Sequence, residues 1–149
     1  MTTTVPRNGR PSTTTVEPEE ILFPAGVLGF EGLTRYILVG NESTHPAMAL
    51  QSVEDTWVAF TLVDPVTIFG HYVIELSAED RRCLQITDDV EPLVFCILSV
   101  PEDPEDMTAN LLAPIVINPK ARLGKQVILE GSSYSVRQPL FPKPGDAGR

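Results

Sequence analysis

Proline restricts this chain more than any other residue. It occurs 14 times in 149 residues, and it can neither continue a helix interior nor donate to the ladder of a central strand. Six prolines stand at or near the ends of short apolar runs: Pro65, Pro92, Pro101, Pro104, Pro114 and Pro119. Many short strands with proline-marked turns are typical of a barrel, whose closure also removes exposed sheet edges. The sequence therefore predicts a mainly β fold, a small closed or nearly closed antiparallel β-barrel-like domain with one short helix.

Apolar runs and period-two alternation predict the individual strands. His71–Leu76 alternates most clearly, with Tyr72, Ile74 and Leu76 on one face. Trp57–Val63 is apolar on nearly both faces, as expected of a central strand. The other predicted strands are Glu20–Phe23, Thr34–Val39, Ala47–Ser52, Leu93–Val100, Pro114–Ile117, Gln126–Glu130 and Tyr134–Arg137.

One helix is predicted to begin at Ser77-Ala-Glu-Asp80, which has the spacing of a capping box. In that motif the Ser77 hydroxyl accepts a backbone N–H of the first turn, and Asp80 answers toward the Ser77 amide. The helix would continue to about Gln85. Ala25–Gly32 has three glycines in eight residues, which predicts a loop with special backbone angles.

The length fits one domain. Residues 1–15 are rich in Thr, Pro, Asn, Gly and Arg and are predicted to be a disordered tail. Residues 141–149 are predicted to be a second tail, which leaves residues 16–140 as the β-barrel domain. No leftover apolar stripe suggests self-association, so a monomer is expected.

Localisation is predicted from what the sequence lacks. The first residues have neither a basic start nor an apolar segment of a secretory signal. No apolar run approaches the ~20 residues of a membrane helix. A cytoplasmic protein is expected. The two cysteines, Cys83 and Cys96, lack metal or redox spacing; reduced thiols are favoured over a disulfide or redox switch.

Charge is unevenly distributed along the chain. Residues 16–110 hold 18 acidic and 3 basic side chains, whereas residues 111–149 hold 2 acidic and 6 basic ones, and the whole chain has a net charge of −9. An acidic surface repels phosphate, so direct nucleic-acid binding is not expected. Basic protein partners or plain solubilisation both agree with this charge.

Patterns of catalysis and metal binding are missing. His45 and His71 have no second ligand at metal-binding spacing, and the sequence has no G-x-S-x-G, GxGxxG or GxxxxGK[ST] motif. Asp64-Pro65 and Asp88-Asp89 are the best paired-acid candidates, but acidic residues in turns usually form the turn and stay solvated. No catalytic residue, metal or cofactor is predicted, and a binding protein is favoured over an enzyme.

Three acidic clusters are the remaining functional candidates: Glu54-Asp55, Asp88-Asp89-Glu91 and Glu102-Asp103-Glu105-Asp106. The third contains Pro104 and follows Pro101, which stiffen its loop. A preordered loop loses less entropy on meeting a basic partner. The same clusters also fit ordinary solvated loops.

The stretch from about Ile21 to Leu140 resembles the flagellar assembly factor FliW family. The resemblance rests on Phe23–Glu31, Leu50-Gln51-Ser52, Ala59-Phe60 with Asp64-Pro65 and Tyr72, Thr108–Asn118, Gly124–Leu129 and Tyr134–Leu140, in that order and spacing. Asn110 and Gln126 are expected to hydrogen-bond turn backbone. The chain departs from the family at Val27-Leu28, where Leu-Pro is usual, and at Gln138, where His is frequent.

The resemblance implies a regulatory binding function. Proteins of this family bind CsrA, a small basic RNA-binding dimer, and so relieve its repression of flagellin mRNA translation. Flagellin is the competing partner. The alternatives are a flagellin-specific chaperone without CsrA regulation and, more remotely, a small β-barrel enzyme.

The partner-binding residues are predicted from the acidic clusters and from nearby aromatic side chains that could anchor an interface. The carboxylates are Glu54, Asp55, Asp88, Asp89, Glu91, Glu102 and Asp103. The aromatic candidates are Phe69 and Tyr72, for which a place in the core is the competing reading.

Overall fold

A computed structural model describes residues 19–40, 43 and 46–141. The predicted N-terminal tail and His45 lie outside the described residues, as do residues 142–149 of the predicted C-terminal tail. No helix among the described residues is long and apolar enough to cross a membrane.

The described part of the chain forms nine strands and short helices. The strands are β1 (Ile21–Leu22), β2 (Arg35–Val39), β3 (Ala47–Ser52), β4 (Ala59–Val63), β5 (Leu93–Ser99), β6 (Thr108–Ala109), β7 (Ile115–Asn118), β8 (Leu123–Gln126) and β9 (Gln138–Pro139). The helices are α1 (Pro65–Phe69), α2 (Ala78–Cys83) and a single 3-10 turn, Pro104–Asp106.

Seven of these strands close into a barrel, in the order β4-β3-β2-β1-β8-β7-β5. The ring closes where β5 pairs with β4, with Ile97 opposite Leu62 and Cys96 opposite Val63. The predicted β-barrel is confirmed. Its pairs are antiparallel except for β1 and β8, which run parallel where Leu22 meets Leu123. Strands β6 and β9 form a short extension beyond the ring.

The barrel interior is filled by apolar side chains: Ile21, Phe23, Val27, Tyr36, Leu50, Leu62, Ile115 and Ile117. Phe23 meets Tyr36 edge-on, with ring centroids 5.1 Å apart. Gly124 of β8 is in contact with the Phe23 ring, in the space that a side chain would need. Small barrels are packed in this way when they hold no ligand.

Two further apolar clusters lie on the outer side of the ring. One surrounds Val116, Val127 and Leu129, and includes Ile74 and Leu76. The other surrounds Cys96 and Ala109. The predicted strand His71–Leu76 is wrong as a strand, because this stretch joins no sheet ladder. The apolar side chains alternate because Ile74 and Leu76 of this stretch pack against the outer cluster around Val116.

Helix α1 was not predicted. Asp64 caps it by accepting from Val66 N at 3.0 Å, Pro65 occupies its first turn, and Gly70 ends it in a left-handed conformation with φ 79°. Asp-Pro followed six residues later by Gly carries this signal in the sequence, although the five-residue helix is too short for periodicity.

Helix α2 is confirmed, with Ser77 Oγ accepting from Asp80 N at 3.0 Å. The expected return bond from Asp80 to the Ser77 amide is replaced by a salt bridge, in which Lys125 Nζ lies 2.6 Å from Asp80 Oδ1. This bond ties the helix to β8 and raises the pKa of the Lys125 ammonium.

Two late strands were predicted in the wrong place. Strand β8 ends at Gln126, where the predicted strand Gln126–Glu130 was to begin, and β9 is Gln138–Pro139 in place of Tyr134–Arg137. Residues 127–130 remain bonded to the preceding chain through Val127 N to Pro114 O and Leu129 N to Leu112 O, without a regular ladder.

Candidate protein-binding surface

The turn between β3 and β4 holds the first acidic cluster in a fixed conformation. Glu54 Oε1 accepts from Thr34 N at 2.7 Å and from Arg35 N at 3.1 Å. The hydroxyl of Ser52, 1% exposed, accepts from the backbone N–H groups of Glu54 and Asp55. Both carboxylate side chains are nevertheless exposed at the protein surface. These hydrogen bonds therefore fix the conformation of the turn.

Trp57 lies in the same turn and is 94% exposed. The prediction of a central strand beginning at Trp57 is wrong at this residue, because β4 begins only at Ala59. The Trp57 backbone N–H donates to Asp55 Oδ1 at 3.0 Å, which keeps this residue in the turn and its indole out of the sheet. A tryptophan exposed to this extent is unusual in a folded chain, since its large surface is normally covered.

The loop from β5 to β6 carries Glu102 and Asp103. Asp103 caps the 3-10 turn Pro104–Asp106 by accepting from Glu105 N at 3.0 Å, so this part of the loop forms a turn. The register of Leu62 opposite Ile97 places the end of β5 beside the start of β4. The β5–β6 loop therefore lies at the same end of the barrel as the turn with Glu54 and Asp55.

The glycine-rich loop between β1 and β2 reaches this end as well, because the start of β2 pairs with the end of β3, with Tyr36 opposite Ser52. Leu28 and Phe30 of this loop are 58% and 41% exposed, and Val100 at the end of β5 is 57% exposed. The Leu28 N–H donates to Gln126 Oε1 at 3.0 Å. The family's proline at this position would lack that donor.

Carboxylates and exposed apolar side chains thus share one end of the barrel. We name this surface the acidic end; it comprises Leu28, Phe30, Glu54, Asp55, Trp57, Val100, Glu102 and Asp103. Sequence reasoning found its four carboxylates and missed its four apolar members. The only sequence signal for them was their position beside turns, which does not distinguish an exposed apolar residue from the first residue of a strand.

The third cluster, Asp88-Asp89-Glu91, lies at the opposite end of the barrel, since it precedes the start of β5. All three side chains are exposed. Arg81 approaches Asp88 at 3.9 Å, and Lys120 Nζ donates to the Asp89 carbonyl at 3.2 Å. Basic groups therefore accompany this cluster, and the structure does not bring it together with the other two.

Phe69 and Tyr72 are half-buried in the second outer cluster. The Tyr72 hydroxyl donates to Leu111 O at 2.6 Å, and its ring lies 4.8 Å from that of Tyr134. Burial raises the pKa of Tyr72. These contacts give both aromatic residues a packing role.

The described residues hold no group of three or more His, Cys, Asp or Glu that could bind a metal ion. His71 is exposed, and Asp64 serves as the cap of α1. Cys83 is exposed and Cys96 is buried, and both are free thiols. Burial raises the pKa of Cys96 to about 12, which keeps this thiol protonated and unreactive at neutral pH.

The predicted roles of two amides are confirmed. Asn110 Oδ1 accepts from Leu112 N and Ala113 N, and Gln126 Nε2 donates to Ala113 O. Asn118, 1% exposed, donates to Leu84 O at 2.7 Å and so fixes the end of α2 to the barrel. These amides organise turns rather than a reaction site.

Comparison with known proteins identifies similar chains over nearly the whole length. The family model described as "FliW protein" matches residues 7–140. A "Flagellar assembly factor FliW" from Natranaerobius thermophilus is 37% identical over 134 residues, which cover 89% of each chain. One from Geobacillus sp. is 41% identical over 127 residues, covering 85% of this chain and 88% of the relative. A solved structure, "Crystal structure of the flagellar assembly factor FliW", superposes with a TM-score of 0.77 at 38% identity, covering 83% of this chain and 86% of that one.

Proposed function

The chain belongs to the FliW family of flagellar assembly factors, and from this premise we propose that it acts by binding other proteins through the acidic end of its barrel. Its first partner is CsrA, the small basic RNA-binding dimer, and binding relieves the repression of flagellin mRNA translation. Flagellin is the competing partner, so its export frees this protein to bind CsrA again. The action belongs to the cytoplasm, where translation takes place, and involves no catalytic step.

The observation that carries this proposal is the exposed Trp57 beside fixed carboxylates. Interfaces typically combine an apolar centre with a polar rim, and tryptophan is enriched among the residues that dominate binding energy. Trp57, Leu28, Phe30 and Val100 would supply the centre, and Glu54, Asp55, Glu102 and Asp103 the rim. Hydrogen bonds from backbone N–H groups already hold the Glu54, Asp55 and Asp103 side chains, so less entropy is lost on binding.

Charge supports a basic partner at this surface. Residues 16–110 carry 18 acidic and 3 basic side chains, and complementary charge speeds encounter and disfavours RNA as a ligand of this protein. The cluster Asp88-Asp89-Glu91 is left outside the proposed surface because it lies at the other end, close to Arg81 and Lys120. Trp57 takes the anchoring role for which the half-buried Phe69 and Tyr72 were candidates.

Isothermal titration with purified CsrA and flagellin, separately and then in competition, tests the proposal. We expect binding to each partner and displacement of CsrA by flagellin. Binding to CsrA should weaken as ionic strength rises through ~0.15 M, where the Debye length is ~8 Å. Absence of CsrA binding at low salt would refute the regulatory function. Binding to flagellin alone would instead identify a flagellin-specific chaperone.

A further inference from the structure

A groove with a volume of about 1150 Å³ runs along the outer side of the barrel, between residues 73–80 and residues 125–134. This volume exceeds the ~300–1,000 Å³ typical of small-molecule pockets, so a longer ligand fits it better. It is lined by Leu129, Ile74 and Leu76 of the outer apolar cluster that surrounds Val116. Val73 and Ile128, 59% and 49% exposed, also line it.

Both sides of the groove offer unpaired backbone groups. The Val73 N–H donates to the Tyr134 hydroxyl at 3.0 Å, and this hydroxyl donates to the Val73 C=O at 2.9 Å. Glu75 lies two residues on, so in an extended stretch its N–H and C=O face the same side. Within the described residues, neither group has a hydrogen-bond partner. This stretch therefore resembles an edge strand without its neighbour.

The opposite side of the groove repeats the pattern. The N–H groups of Val127 and Leu129 donate to Pro114 and Leu112, back toward the barrel. By strand alternation the N–H of Ile128 points the other way, and it has no partner among the described residues. Exposed edge groups of this kind are the template for pairing with another chain.

The charge of the groove selects the partner. Glu75, Glu79 and Glu130 line it, and none of them forms an ion pair within the part of the chain that the structure describes. Its one basic side chain, Lys125, is bound to Asp80 at 2.6 Å. An occupant with basic side chains over this rim, and apolar ones toward Ile74 and Leu76, complements both features.

We propose that this groove binds an extended segment of a partner protein, with alternating basic and apolar residues, by β-strand addition. In such complexes main-chain hydrogen bonds give affinity and alternate side chains give specificity. The inference rests on the proposed function, since it supplies a second contact for a protein that works by binding proteins. It is separate from the acidic end in both residues and mode of recognition.

Amide hydrogen exchange of the full chain, alone and saturated with CsrA or with flagellin, tests the proposal. With one of the two partners, exchange at Glu75 and Ile128 should slow by at least about tenfold. Exchange at Ile74 and Leu76, whose groups face the other way, should change less. Unchanged exchange at Glu75 and Ile128 in both complexes overturns strand addition while leaving the proposed function intact. Protection of Ile74 and Leu76 equal to that of Glu75 also overturns it, since equal protection indicates that the partner merely covers the stretch. If neither partner binds, the proposed function itself fails, and this inference with it.

A matched pair of variants tests the charge argument. Glu75→Gln with Glu130→Gln should weaken binding of the strand-donating partner about fivefold at low salt. Asp88→Asn with Glu91→Gln makes the same charge change outside both surfaces and should leave the affinity unchanged. Equal effects of the two pairs would show that the groove carboxylates act only through the net charge of the protein, and would overturn their proposed role.

The remaining candidate occupant is this chain itself. Deleting residues 1–15 should leave exchange at Glu75 and Ile128 in the free protein as it is. Faster exchange at these amides after the deletion would identify an internal occupant and overturn the proposal.

Discussion

Gly124→Ala tests whether the barrel interior is closed by packing. A Cβ at this position would lie 2.3, 2.5 and 2.7 Å from three atoms of the Phe23 ring, where ordinary contact begins at 3.4 Å. The ring would have to withdraw by about 1 Å. It is 0% exposed and rests edge-on against Tyr36 at 5.1 Å, so it has no free space to enter. Overpacking of this kind costs about 1–3 kcal/mol.

Equilibrium unfolding in urea measures this cost, and the m-value should stay the same because the fold is unchanged. For a domain of this size the midpoint of thermal unfolding should fall by about 2–12 °C. Gly32→Ala is the matched control. No atom lies within 4 Å of its added Cβ, and its backbone angle is not in the left-handed region. It should be neutral or stabilise by up to about 1 kcal/mol.

A second variant identifies the cause. In a Phe23→Leu background the smaller side chain leaves room, so Gly124→Ala should cost less than it does beside Phe23. If Gly124→Ala alone leaves the free energy of unfolding within about 0.5 kcal/mol of the parent, the interior has slack. A tightly packed interior could then no longer be the reason for this barrel to act through its outer surface.

Three further predictions concern single side chains. Trp57→Ala should weaken CsrA binding about thirtyfold or more without altering thermal unfolding, because Trp57 is 94% exposed. The control is Val66→Ala, which also changes an exposed apolar residue. Equal titration curves for the two variants would show that Trp57 is not part of the interface. Tyr36→Phe should leave the free energy of unfolding unchanged or raise it by up to about 1 kcal/mol, because the buried Tyr36 hydroxyl has no hydrogen-bond partner among the described residues; a clear loss in urea unfolding would contradict this. Burial raises the pKa of Cys96 to about 12 from its ordinary 9.0, so the unfolded thiol ionises first and stability falls as pH rises from about 9 towards 12. Urea unfolding between about pH 8 and pH 11 should therefore show a shallower decline for Cys96→Ala than for the exposed Cys83→Ala, and equal slopes would rule out Cys96 as a source of the decline.

Local sequence determined the features that depend on neighbouring residues. Ala47–Ser52 was predicted with its observed ends, because Pro46 precedes it and a turn follows it. Ser77 fixed the start of α2 in the same way, through one side chain and one nearby amide. The carboxylates of the acidic end were also visible, since charge and loop position are properties of the sequence itself.

Tertiary structure decided which distant segments meet, and with that the composition of the binding surface. Alternation along His71–Leu76 reports an apolar face but not a hydrogen-bond partner, so it could not reveal that the stretch joins no ladder. The identity of Trp57 does not show whether it lies in a strand or in a turn. It lies outside the sheet because β4 begins only at Ala59. Leu22 and Leu123, which pair in parallel, lie 101 residues apart in sequence. Such pairings form because the whole barrel closes over one packed interior. Every strand contributes to the free energy of that closure, so no local sequence pattern can predict the pairing.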